Sequence, residues 1–226
     1  MEKLPIRILI VDDHPLIIQG IKGSLQEMGY TDVVTTDTCD KAFSLLKTHR
    51  HTNPFTILFT DLSFDNTTAE TVLDGGEALI RAVKDNVLAV KMVVLTGHSE
   101  TNRVYSVIEN LNPDAYLLKG KSEAKELDFA ITQINAHQKY YTHEIHQKLL
   151  RRKVVQVQMD EVAIQILKEL PKHVKIQNLE GIIKKGDSSF LKLRAIEAKI
   201  KDLRLSLEAN NNADLVLKAK ELGIVD

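Results

Sequence analysis

The 226-residue sequence predicts a doubly wound α/β domain on five parallel strands, followed by a second, small all-α domain. Three observations predict it. Apolar runs rich in β-branched residues, Ile6–Val11, Phe55–Phe59, Met92–Leu95 and Ala115–Leu118, alternate with helix-length segments, as parallel strands buried on both faces do. Each run ends in polar groups (Asp12-Asp13, Asp61, Thr96, Lys119), and open parallel sheets gather functional groups just beyond the carboxyl ends of their strands. Past residue 158 the apolar spacing changes to three and four, the period of helices.

The elements follow in order. Pro15 opens a helix to about Met28, with Leu16, Ile17, Gly20, Ile21 and Leu25 as its inner face and Gly29 as its stop. A short second strand falls near 32–36 and a helix near 39–49. The third strand is 55–60, and its helix runs from about Gly75 to Asn86. The fourth strand, 91–95, precedes a helix from about Ser99 to Asn110. The fifth, 115–118, precedes a helix from about Ser122, and 133–158 read as that helix running into a linker helix. In the second domain, Met159-Asp160-Glu161 caps a helix carrying Val162, Ile166, Leu167 and Leu170, which Pro171 ends. A second helix is expected over Ile176–Lys185, with Leu179, Ile182 and Ile183 inside. Asp187 and Ser188 offer N-caps for a long helix to about Leu207, striped by Leu193, Ile196, Ile200, Leu203 and Leu207. A last helix spans about Ala213–Leu222, closed by Gly223.

The strand ends bring three carboxylates, a hydroxyl and an ammonium toward one place. Clustered acids repel unless a cation joins them, and oxygen-only ligands suit Mg2+. Asp12-Asp13, Asp61, Thr96 and Lys119, in that strand order, closely resemble the receiver domain of bacterial two-component response regulators, which is flavodoxin-like, over roughly residues 5–136. The resemblance implies that Asp61 accepts a phosphoryl group from a sensor histidine kinase. It further implies that Asp12 and Asp13 hold Mg2+ with Asp61, and that Thr96 and Lys119 engage the aspartyl phosphate. Tyr116 occupies the family's aromatic switch position, and the backbone carbonyl of Ser63 is the expected further metal ligand. The chain departs from the family after Asp61, where residues 62–74 replace a short Met-Pro-x-Met-Asp-Gly-like turn; Asp74-Gly75 restores the Asp-Gly. Gly120 stands where proline commonly follows the lysine.

Residues 136–145 resemble the junction of NarL/FixJ-type regulators, and the second domain resembles their LuxR-type helix-turn-helix effector. The best match is Leu207–Val216, followed by Ala219 and Gly223-Ile224-Val225. The family's Ser-x-x-Thr-Val-Lys start of the recognition helix is replaced by Ser188-Ser189-Phe190-Leu191-Lys192-Leu193-Arg194-Ala195-Ile196, so no individual base contact is carried over. Lys192, Arg194 and Lys199 are the candidate contacts to double-stranded DNA, while Glu197 four residues before Lys201 is the pattern of a self-paired, solvated face.

The organisation expected is a receiver domain over 1–136, a linker helix over 137–158 and a helix-turn-helix domain over 159–226. The function expected is a phosphorylation-controlled transcriptional regulator, a homodimer when active and not an enzyme. The alternative is an output domain that binds a protein partner and not DNA. Residues 1–150 carry 15 Lys+Arg and 20 Asp+Glu, a net of −5; residues 151–226 carry 15 and 11, a net of +4. That permits nucleic acid without demanding it. Ser63 stands where haloacid-dehalogenase-like phosphatases place a second Asp, which argues against that chemistry. His137, His143 and His146 lack a standard zinc spacing. Cys39 is the only cysteine, and no apolar run is long enough for a membrane span, so a cytoplasmic protein is expected.

Overall fold

The computed structural model describes residues 6–65, 71–120 and 124–225, with the backbone alone for 153–158. Two compact units make up the chain. One holds residues up to Ser99 with Ser106–Ile145; the other holds Glu100–Tyr105 with residues from His146 onward.

The first unit is a parallel sheet in the order β2-β1-β3-β4-β5-β6. Its strands are β1 (Ile8–Val11), β2 (Val33–Thr36), β3 (Ile57–Thr60), β4 (Lys91–Thr96), β5 (Ala115–Leu118) and β6 (Tyr140–Tyr141). Every residue of β1, β3 and β5 is buried, as strands sandwiched between helix layers must be. Burying each Ile, Leu or Val side chain stabilises the fold by ~1.5–3 kcal/mol. The helices are α1 (Pro15–Glu27), α2 (Cys39–His49), α3 (Gly76–Asp85), α4 (Thr101–Leu111, in this unit from Ser106 onward) and α5 (Ala124–Asn135). Thr38 caps α2 by accepting from the Lys41 amide at 3.3 Å, and α5 buries Leu127, Ala130, Ile131 and Ile134. The expected helix start at Ser122 lies outside the described residues.

Among the described residues six strands, and not five, form this sheet. Residues 136–142 are not continuous helix: His137 adopts φ 60, which ends the α5 segment, and Tyr140-Tyr141 then pair beside β5. The Tyr140 amide donates to Asp114 O at 3.0 Å and the Thr142 amide to Tyr116 O at 3.1 Å. Two residues are too few to leave a strand pattern in a sequence.

In the second unit, α6 (His143–Gln158) precedes α7 (Glu161–Glu169), α8 (Leu193–Ser206) and α9 (Asn212–Glu221). Ala163, Ile166, Leu167, Leu179, Ile183, Ile196, Ile200, Leu203 and Leu215 meet in one core. Asp160 caps α7 through the Ala163 amide at 2.8 Å, and Asn211 caps α9 through the Asp214 amide at 2.9 Å.

The expected helix over 176–185 does not form. A 3-10 turn covers only Ile176–Leu179, Gly181 sits at φ 84, and Ile182, expected inside, is exposed. Lys184 then bridges Phe190 as antiparallel backbone. The helix expected from Asp187 begins instead at Leu193, with Lys192 at its N-cap. The Asp187 carboxylate is spent locally, accepting from the Ser189 amide at 3.0 Å and its hydroxyl at 2.6 Å.

Candidate functional site: an acidic pocket at the strand ends

Strand register builds the pocket. Val11 pairs with Thr60, so Asp12 and Asp61 are each one residue past a paired position. Thr96 pairs with Leu118, so Lys119 follows one residue further, its amide donating to Thr96 O at 2.8 Å. Asp12 is 2 % exposed, Asp61 6 % and Thr96 0 %, so three polar side chains sit where water cannot screen them.

Lys119 offsets that charge. Its Nζ lies 2.6 Å from Asp12 Oδ2 and 2.7 Å from Asp61 Oδ2. The Leu62 amide donates to Asp61 Oδ1 at 2.6 Å. Burial alone would push the Asp61 carboxyl up. Hydrogen bonds from Lys119 and Thr96, the Lys119 charge and the Leu62 amide outweigh it and hold the carboxyl below its ordinary value. Burial likewise pulls the Lys119 ammonium down, and its bonds to Asp12 and Asp61 win, leaving it raised. Asp61 is therefore a carboxylate at neutral pH, and Lys119 an ammonium.

Asp13 completes the acid set. Its Oδ2 accepts from the Asp65 amide at 2.6 Å. Its Oδ1 is buried, 2.9 Å from His14 Nδ1 but outside hydrogen-bonding geometry, so it has no donor. An orphaned carboxylate oxygen beside two more acids is what a hard divalent cation satisfies, and these residues fit Mg2+. Ligand atoms of Asp12, His14 and Asp61 lie within 4.8 Å of one another. His14, whose Nδ1 is 3.1 Å from Asp12 Oδ1, escaped the sequence reading because it looks like an ordinary helix-start residue.

Two loops frame the pocket. Tyr116 is fully buried and its hydroxyl donates to His98 O at 2.8 Å; the His98 amide points at Thr96 Oγ1, 3.3 Å away. Ser63 Oγ meets His98 Nε2 at 2.8 Å, linking the loop after β3 to the loop after β4. The long segment after Asp61 closes at its base, where the Gly76 amide donates to Leu62 O at 3.1 Å. Asp40, at the start of α2, accepts from the Val72 and Leu73 amides, both at 3.2 Å. Residues 66–70 of that segment lie outside the described residues. A glycine pair makes the closure possible. Gly75 has φ 87, and a Cβ on Gly76 would stand 2.9 Å from both Asp61 C and Thr60 Oγ1, closer still to Asp61 O. The Asp-Gly signal was legible in the sequence, but the close approach behind it was not.

The candidate DNA-contact residues do not share one environment. Lys192 and Arg194 are exposed at the start of α8. Lys199 is tied to Asp160 at 2.6 Å and only 29 % exposed, which takes it away from an outward-facing role.

The response regulator receiver domain model matches residues 8–131. Along 98 % of its length the chain is 25 % identical to the response regulator protein VraR of Staphylococcus saprophyticus, all of which is covered. It is 24 % identical, over 98 % of its length and all of the relative, to VraR of Staphylococcus aureus. Among solved structures it resembles the RcsB response regulator of Salmonella typhimurium, described for its conformational dynamism in DNA interaction. That match has a TM-score of 0.61 and 20 % identity over 96 % of this chain and 99 % of that one. A structure of two RcsB dimers bound to two parallel DNAs matches with a TM-score of 0.59 and 20 % identity over 96 % and 98 %. At these identities the structural likeness is one of fold.

Proposed function

The chain belongs to the response regulator receiver domain family, and from that premise we propose that it is a phosphorylation-controlled, DNA-binding transcriptional regulator. A sensor histidine kinase supplies the phosphoryl group. In this reading residues 1–136 receive the signal, 137–158 link, and 159–226 act on double-stranded DNA as a homodimer in the cytoplasm. Among the described residues no helix is long and apolar enough to cross a membrane.

The observation that carries the reading is the Lys119 bridge between two buried carboxylates, 2.6 Å from Asp12 and 2.7 Å from Asp61. It keeps Asp61 ionised and supplies positive charge where an incoming phosphoryl group adds negative charge. The Asp61 carboxylate attacks phosphorus, a P–O bond forms, and the bond to the donor imidazole breaks with its electron pair leaving on nitrogen. Lys119 then offsets the charge of the acyl phosphate and the Thr96 hydroxyl donates to it. Asp13 and Asp61, with Asp12 alongside and the Ser63 carbonyl, would hold Mg2+, which when bound neutralises charge on the reacting oxygens. The Tyr116 bond to His98 O couples the Thr96 loop to β5, so a shift at Thr96 is felt at the switch position.

Incubation with Mg2+ and acetyl phosphate tests the assignment. Wild type takes up one phosphoryl group, lost in Asp61→Asn. Undiminished modification of Asp61→Asn sinks it.

A further inference from the structure

The segment that replaces the expected helix has a shape and a charge that the reading above leaves unused. Ile183 (0 % exposed) and Leu191 (9 %) anchor it in the core, and their backbones pair, Leu191 N donating to Ile183 O at 2.8 Å. Between them every residue from Lys184 to Phe190 is exposed. The Lys185 amide donates to Ser189 O at 2.8 Å and the Ser188 amide to Lys185 O at 2.9 Å, with Ser188 at φ 63 closing the turn. Gln165 on α7 clamps the base, accepting from the Lys184 amide at 2.9 Å and donating to its carbonyl at 3.2 Å. The hairpin is thus ordered before any partner arrives, which lowers the entropy lost on binding.

Charge separates this hairpin from α8. Among the exposed residues of α8, Arg194 and Lys201 are matched by Glu197 and Asp202, and Lys199 is held by Asp160. With Arg204 half-buried and donating to Asn210 O, that exposed face brings no net positive charge to a polyanion. In the hairpin Lys184 and Lys185 face one acid, Asp187, whose carboxylate bonds Ser189 and also feels the Lys185 charge. Among the described residues no salt bridge ties Lys184 or Lys185 to a carboxylate. Phe190 is half-exposed, with Lys184 Nζ 5.7 Å from its ring centroid. An exposed aromatic beside an ammonium fits a nucleic-acid backbone, the ring against sugar or base and the cation on phosphate.

We propose that the hairpin Lys184–Phe190 is a DNA-contact element in its own right, gripping the phosphate backbone through Lys184 and Lys185 and packing Phe190 beside it. The inference rests on the DNA-binding reading. The hairpin supplies sequence-independent affinity, and α8 is left to position and discriminate.

The test uses the full chain with Mg2+ and beryllofluoride, titrated onto mixed-sequence double-stranded DNA at several salt concentrations. Each phosphate contact contributes ~0.9 to the slope of log affinity against log salt. Lys184→Ala with Lys185→Ala is expected to flatten the slope by about 1.8. Phe190→Ala is expected to weaken binding at every salt with the slope unchanged. Lys168→Ala with Lys175→Ala, the same loss of charge at exposed lysines elsewhere in the unit, serves as control and is expected to change the slope by less than half as much. The changed lysines are exposed, so thermal melts matching wild type are expected of both double variants. Wild type without salt-sensitive binding overturns the DNA reading and the hairpin with it. Wild type that binds, with the hairpin double variant no flatter than the control, overturns the hairpin alone.

Discussion

Gly76→Ala is the sharpest probe of how the fold holds Asp61. The added methyl would lie 2.9 Å from Asp61 C and from Thr60 Oγ1. Ordinary carbon contacts need ~3.5 Å, so these two contacts alone ask the start of α3 and the end of β3 to part by about 0.6 Å, and the closer Asp61 O asks for more. Both sides are backbone in a buried place, and neither can turn aside as a long side chain would. Overpacking of this kind costs about 1–3 kcal/mol. At roughly 4 °C per kcal/mol for a domain of this size, melting should fall by about 4–12 °C. Phosphorylation by acetyl phosphate should slow as well, because the displaced backbone carries Asp61, the proposed acceptor, and the Leu62 amide bound to it. Gly23→Ala is the control. Nothing lies within 4 Å of a Cβ there, and an alanine inside α1 should stabilise by ~0.5–1 kcal/mol. The assay is thermal denaturation of both variants beside the rate of acyl-phosphate formation. A Gly76→Ala protein that melts and labels like wild type would refute the reasoning.

Three further outcomes follow from single contacts. Asp160→Ala removes the α7 cap and the Lys199 tether, and should cost about 1 kcal/mol in urea denaturation. Bonds from Lys199 and the Ala163 amide outweigh burial and lower the Asp160 carboxyl, so its contribution is present above the unfolded carboxyl value. It should fade as pH falls through the folded value, and wild type and variant should converge in acid. Asp40→Ala should leave global stability nearly unchanged but speed hydrogen exchange at the Val72 and Leu73 amides; unchanged exchange there would mean that Asp40 does not pin the loop. Tyr116→Phe should cost about 1 kcal/mol by removing the hydrogen bond to His98 O, read by denaturant unfolding.

Much of the pocket was legible because it sits at strand ends. Parallel strands buried on both faces announce themselves as apolar runs, and the residue just past each run is placed by sheet geometry alone. Lys119 was expected at the pocket as a partner of the phosphate, but its bridge between Asp12 and Asp61 was not. What escaped depended on distances between segments far apart in sequence. Asp40 meets Val72 and Leu73 across 32 and 33 residues, and no local pattern carries that. Residues 176–185 misled for a different reason. Leu179 and Ile183 are four apart, which mimics a helix, but they are buried from a 3-10 turn and a hairpin stem, with Gly181 at φ 84 between them. Lys199 reads as one more basic residue on a helix until Asp160 is seen beneath it.

The central claim is that the state of Asp61 controls a DNA-binding output. The most direct measurement compares DNA binding of the full chain, with Mg2+, in the presence and absence of beryllofluoride, for wild type and Asp61→Asn. Beryllofluoride is expected to tighten wild-type binding and to leave Asp61→Asn unmoved. Equal binding by wild type with and without it, or equal tightening in Asp61→Asn, would contradict the account.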